Sequence, residues 1–134
     1  MRIPFSAGLI FLTVGLAACS TEVSVNPNGG PIATVKPNWF TGGVTMSADV
    51  QGDIPRAFKA ASLTLDKLKY YRTQEAVDQT SIQGRGLMDV YVEIDLAASK
   101  TGGMTTISVY INNGKTPDAQ AIFSGINDTL ASMP

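Results

Sequence analysis

Met88-Asp89-Val90-Tyr91-Val92-Glu93-Ile94-Asp95-Leu96 alternates apolar and polar residues without a break. Successive strand side chains point to opposite faces, so this pattern predicts a strand with one buried face and one wet face. Ser99-Lys100-Thr101-Gly102-Gly103 then turns the chain, and Thr105, Ile107, Val109 and Ile111 return with the same period. Two such runs around a small polar turn predict a hairpin. Pairing Ile94 with Ile107 sets Tyr91 opposite Tyr110 on the wet face, where an aromatic pair helps to hold register. A sheet whose strands each carry one polar face is expected to be antiparallel, with only one side covered.

The flanking segments supply the cover. Val44, Met46, Ala48 and Val50 alternate with Thr45, Ser47 and Asp49, which predicts another strand. Asp53 can cap a helix that tolerates Pro55 in its first turn. Ile54, Phe58, Ala61, Leu65 and Leu68 then fall on one helical face. Tyr70–Val77 reads as a further strand, Asp78-Gln79-Thr80-Ser81 as a turn, and Ile82–Arg85 as the lead into the hairpin. Thr116, Pro117 and Asp118 open a last helix, with Ile122, Ile126, Leu130 and Met133 as its apolar stripe. The expected fold is α+β, in the order β-α-β-β-β-α. An antiparallel sheet of about four strands carries two helices on one face, in a single domain over residues 44–134. The first of these strands or the Tyr70 strand would form a free edge.

The N-terminus carries an address. Arg2 precedes sixteen uncharged residues, Ile3 to Ala18. That run is short of the roughly 20 apolar residues a spanning helix needs, and its layout is that of a signal peptide. It ends Leu16-Ala17-Ala18-Cys19, with the chain's only cysteine in last place. This resembles the lipobox of bacterial lipoproteins. The resemblance implies a signal peptide over 1–18, cleavage between Ala18 and Cys19, and a diacylglyceryl group on the Cys19 thiol with acylation of the new amine. Ser20, by the same resemblance, favours the outer over the inner membrane. Several buried acyl chains hold a protein to a bilayer durably, at about 0.8 kcal/mol per CH₂.

Residues 19–43 then read as a lipidated start and flexible tether. Pro27, Pro31, Pro37, Gly29, Gly30, Gly42 and Gly43 crowd it, and it shows no apolar period. A flexible chain of that length spans roughly 25–30 Å, enough to hold the body clear of the headgroups. Trp39 and Phe40 at its end are candidate contacts to a partner or to the membrane interface. The layout from Asp53 to Leu130 also resembles a family of small bacterial lipoproteins of unknown function. The segment Ile107-Ser108-Val109-Tyr110-Ile111-Asn112-Asn113-Gly114-Lys115-Thr116-Pro117-Asp118 carries that likeness, which implies no particular activity.

Composition removes several chemistries. Among 134 residues there is no histidine and one cysteine. Ser-His-Asp and Cys-His catalysis, an internal disulfide and nearly every zinc or copper site therefore drop out. Net charge is −1, which is not the basic footprint of a nucleic-acid binder. Gly114-Lys115-Thr116 lacks the first glycine of a phosphate loop, since Val109 stands in its place. Asp89, Glu93 and Asp95 could offer oxygens to calcium, but strand neighbours two apart lie about 6.6–6.8 Å apart, and a solvated face explains them more simply. Tyr70-Tyr71-Arg72 and Gly84-Arg85-Gly86 fit ordinary strand and bulge positions as well as a contact surface.

These readings converge on a lipid-anchored, periplasm-facing envelope protein. It is expected to be non-enzymatic and to need no cofactor or metal. It would work as an accessory or assembly subunit through an envelope protein partner, with Trp39, Phe40, Tyr91 and Tyr110 as candidate contacts. The alternative is a ligand-binding module holding a lipid or other apolar molecule between sheet and helices, under Phe58, Leu65, Val92 and Ile126. An enzyme using carboxylates would require a strongly shifted Asp or Glu in a cleft.

Overall fold

The computed structural model describes residues 21–26, 29–38, 42–113 and 115–134. The hairpin at the centre of the sequence argument is present. Strands β6 (Tyr91–Ala98) and β7 (Met104–Asn112) pair antiparallel. Their inward residues Val92, Ile94, Ile107, Val109 and Ile111 are fully buried. Val92↔Ile111, Ile94↔Val109 and Leu96↔Ile107 are the paired positions. The register is therefore two residues from the expected one, because the five-residue turn closes with Ser99 N–H donating to the Met104 carbonyl. Tyr91 sits opposite Asn112, and Glu93 opposite Tyr110.

Around this hairpin the sheet is larger than expected. It has seven strands, in the order β1-β2-β3-β7-β6-β5-β4, all antiparallel. The others are β1 (Thr21–Asn26), β2 (Gly29–Asn38), β3 (Gly43–Gln51), β4 (Tyr71–Glu75) and β5 (Ser81–Arg85). Two of them, β1 and β2, run through the segment expected as a tether. Ala33 and Val35 are buried, Val23 packs against the core, and the Gln120 amide donates to the Ser24 carbonyl at 2.8 Å. Asn26 pairs with Gly29, and Gly29, Gly30, Pro31 and Pro37 lie within β2, so this Pro and Gly content belongs to a strand rather than to a linker. The Val44 strand is accordingly an interior strand, and β1 and β4 are the edges.

Helices α1 (Ile54–Lys67) and α2 (Thr116–Ser132) cover one sheet face side by side. Asp53 caps α1 by accepting from the Arg56 N–H at 3.2 Å, as its sequence predicts. The buried face of α1 is Ala57, Ala60, Ala61, Thr64 and Leu65, while Leu68 is exposed and Phe58 only half-buried. The stripe is rotated toward small residues because α1 packs on α2 as well as on the sheet. Lys115, rather than Thr116, is the N-cap of α2, and its N–H donates to the Asp118 carboxylate at 2.7 Å. Arg56, expected off the apolar face, closes the other end of α2. Its guanidinium donates to the carbonyls of Leu130, Met133 and Pro134 at 2.7–3.0 Å, satisfying groups that a helix terminus leaves without partners.

Between β5 and β6 the expected strand continuity fails. Leu87–Asp89 form a short 3₁₀ turn, with Met88 and Asp89 at φ 60° and 59°. Met88, expected inward, is 91% exposed. Asp89 leaves the strand, so Asp89, Glu93 and Asp95 do not share one strand face.

Candidate functional site

The sheet face opposite the helices carries the two tyrosines. Alternation along β6 and β7 places Tyr91 and Tyr110 on the side away from the helices, and both are half-buried. The displaced register makes them diagonal neighbours. Their ring centroids are 6.3 Å apart at 63°, an edge-on arrangement that aromatic quadrupoles favour. The Arg85 guanidinium lies 5.1 Å from the Tyr91 centroid, and the Tyr91 hydroxyl donates to Glu93 at 3.0 Å. Partial burial first, then Glu93, pushes the Tyr91 phenol up. A β-carbon on Gly43 would meet the Tyr110 ring at 2.9–3.0 Å. One aromatic row thus braces β3, β7, β6 and β5.

Further along this face Asp95 is held above the ordinary carboxylate value, first by desolvation and then by Glu93. Ser99 and Thr106 each donate to Asp49 at 2.6 Å and hold it low. Among the described residues no group of three or more Cys, Asp or Glu side chains is placed to hold a metal ion.

A second cluster lines the β4 edge. Asp66, Tyr71, Arg72, Thr73, Gln74 and Glu75 bound an open cleft of about 510 Å³. Arg72 pairs with Asp66 at 3.1 Å and with Glu75 at 2.9 Å, while the buried Ser62 hydroxyl donates to Glu75 at 2.6 Å. Those donors hold Glu75 ionised, Ser62 contributing most. A carboxylate held this way suits an ion pair better than proton donation. All five β4 residues are exposed.

Six large apolar side chains stand exposed among the described residues, at both ends of the β4–β5 hairpin and on or just after α1. Leu63 is on α1 and Leu68 follows it; Tyr71 is on β4, Val77 is in the β4–β5 turn, and Leu87 and Met88 follow β5. Tyr71, Val77, Leu87 and Met88 are 68–102% exposed. The Tyr70 ring packs over Gly86, where a β-carbon would meet it at 2.8 Å, and so supports the base of the Leu87-Met88 turn.

Of the sequence candidates, Tyr91 and Tyr110 are brought together, whereas Ala18, Cys19, Trp39 and Phe40 lie outside the described residues. The free edge expected at the Tyr70 strand is present as β4; the exposed Leu87-Met88 turn was not anticipated, although its place directly after Gly84-Arg85-Gly86 was the available signal. Under the helices, Leu65, Val92 and Ile126 are fully buried and Phe58 packs against that core.

The fold is an α+β domain, a seven-stranded antiparallel sheet with two helices on one face. Comparison with family models, curated proteins and solved structures gives no match. Among the described residues no helix is long and apolar enough to cross a membrane.

Proposed function

We propose that this is a lipid-anchored envelope protein that acts as a non-enzymatic accessory or assembly subunit, held to its membrane through Cys19. The exposure of Tyr71 and Val77 at the two ends of edge strand β4, and of Leu63 on the helix beside it, carries the binding half of this reading. Exposed apolar side chains along a sheet edge suit a partner surface, and tyrosine is enriched at interface centres. The charged pairs of Arg72 with Asp66 and Glu75 would supply a polar rim. Strand addition at β4 is the weaker mode. The strand has five residues, is charged, and shifts register between Arg72 and Gln74, all of which blunt an edge. Side-chain docking on the flank fits better. The Leu16-Ala17-Ala18-Cys19 motif carries the anchoring half.

In-cell crosslinking with mass spectrometry tests both halves. The native chain is compared with Cys19→Ala and with a Leu63→Lys/Tyr71→Lys/Val77→Lys variant. Reproducible crosslinks from the β4 side to one envelope complex, lost in the lysine variant, are expected. Cys19→Ala is expected to leave the membrane fraction after a high-salt wash. Crosslinks unchanged by the three lysines would overturn the assigned surface. Retention of Cys19→Ala on washed membranes would overturn the anchor.

A further inference from the structure

Strand β4 is the last of its sheet, so among the described residues its outer side carries backbone groups that no strand pairs. Its pairs with β5 set its faces. Arg72 and Glu75 stand opposite Gly84 and Ile82, both buried, and so lie on the helix side. Tyr71 and Gln74 stand opposite Arg85 and Gln83 and lie on the other side. In a regular strand, residues three apart point to opposite faces. Thr73, the extra residue where the register shifts, brings Arg72 and Glu75 onto one face. Their contacts agree: Arg72 reaches Asp66 of α1, and Glu75 reaches Ser62 of α1.

The edge is thereby self-complementary. In a two-fold pair, residue i contacts j of the other copy and j contacts i. Two β4 strands laid antiparallel, with Arg72 opposite Glu75 of a second copy, meet this condition and set opposite charges face to face at two places. Residues paired across antiparallel strands share a sheet face, and Arg72 and Glu75 do. Thr73 and Gln74 stand between the two charged positions on both strands, so the register shift of one copy is matched by that of the other. Tyr71, 68% exposed, then comes beside Val77 of the second copy, which is fully exposed. An unrelated strand would meet the charges and the shift without counterparts, which makes strand addition weak for it. A second copy supplies both.

The charged groups have capacity for the contact. A guanidinium carries five N–H donors. Arg72 directs one from Nε and one from Nη2 to Asp66, and one from Nη1 to Glu75, leaving two. Ser62 and Arg72 both donate to Oε2 of Glu75, and Oε1 accepts from none of the described residues. A second Arg72 can bind Oε1 while the existing pairs stay in place. Both side chains are about one-third exposed, at 36% and 34%, so they are open to a neighbour.

We infer that β4 is a self-association edge. Two copies pair β4 to β4 about a two-fold axis, with Arg72 against Glu75 and Tyr71 beside Val77, and join two seven-stranded sheets into one. The inference rests on the reading of this edge as a binding surface and names a second copy of the chain as its occupant.

Full-length chains carrying two different tags are expressed in one cell, extracted in detergent and captured through one tag. The other tag then reports the second copy. Native chains are expected to capture each other and to sediment as a dimer. Val77→Lys, Arg72→Glu and Glu75→Arg are each expected to weaken association by about tenfold or more. Arg72→Glu expressed together with Glu75→Arg is expected to regain it, because each pair between the copies is again one acid facing one base. Circular dichroism reads the folding of each variant. A native chain that stays monomeric up to about 100 μM would overturn the inference; crosslinks from β4 to a foreign envelope protein would in that case leave the proposed function standing. Absence of both would overturn the binding surface itself. Association unchanged by Val77→Lys and by both charge reversals would overturn the edge. Folded reversals that fail to associate when combined would overturn the antiparallel register. If a reversal abolishes folding, Val77→Lys decides, since that side chain is fully exposed: self-capture at the native level would overturn the inference, and its loss would uphold it.

Discussion

A methyl group on Gly43 has no space. Its β-carbon would strike the Ile111 carbonyl oxygen of the neighbouring strand and lie 2.9 Å from the Tyr110 ring. The carbonyl is backbone and cannot swing away, so the paired strands β3 and β7 must part locally. Gly43→Ala is expected to destabilise the fold by about 1–3 kcal/mol, the usual cost of overpacking, read as a lower midpoint in urea with an unchanged slope. The sequence held this glycine in plain view, but Gly42-Gly43 read as tether composition. A strand glycine often marks a close approach, and here it lies under an aromatic two strand positions away. No local pattern reveals that partner. Tyr91 and Tyr110 were legible as a pair on the wet face; their register was not, because it is set by the hydrogen bonding of the Ser99–Gly103 turn.

Between α1 and α2 the same logic acts on whole elements. Gly125 faces Thr64, whose Cγ2 would lie 2.5 Å from an added β-carbon. Thr64 is itself fixed, with its hydroxyl on the Ala60 carbonyl at 2.8 Å and 3.4 Å from that of Thr129. Helix propensity alone favours alanine over glycine by about 1 kcal/mol, whereas forcing the helices apart costs about 1–3 kcal/mol. Gly125→Ala is therefore expected to be net destabilising. Thr64→Ser removes the obstructing methyl and keeps the hydroxyl. In the double variant the alanine is expected to become neutral or stabilising, a coupling that a double-mutant cycle in urea measures directly. An additive cycle would show that this contact does not govern the packing. Both helices and the β6–β7 hairpin were legible as elements, since large apolar residues recur at their periods. The α1–α2 contact was not, because the pair that decides it, Thr64 and Gly125, carries little hydrophobic signal.

At the scale of the molecule the carboxylates are arranged unequally, and this gives stability a sign with pH. Glu75, Asp49 and Asp78 are held below ordinary values by the hydroxyls of Ser62, of Ser99 and Thr106, and of Thr80 respectively. An acid whose folded value is lowered binds fewer protons in the folded state than in the unfolded one. Its contribution is complete above the unfolded value, near 4, and is lost as pH falls through the folded one. Asp95 runs the other way. Desolvation and Glu93 raise it, so the folded state keeps its proton longer, and stability is lost as pH rises through the folded value. Three lowered groups against one raised group predict acid destabilisation below about pH 4, seen as a falling urea midpoint. Glu75→Gln is expected to flatten that fall and to lower neutral stability by about 1 kcal/mol or less, since its pair with Arg72 is partly solvated. Asp95→Asn is expected to raise stability at pH 7 and to leave the acid limb in place. If Glu75→Gln left the acid limb unchanged, the Ser62–Glu75–Arg72 cluster would not be what senses pH, and the loss would lie with Asp49 and Asp78 instead.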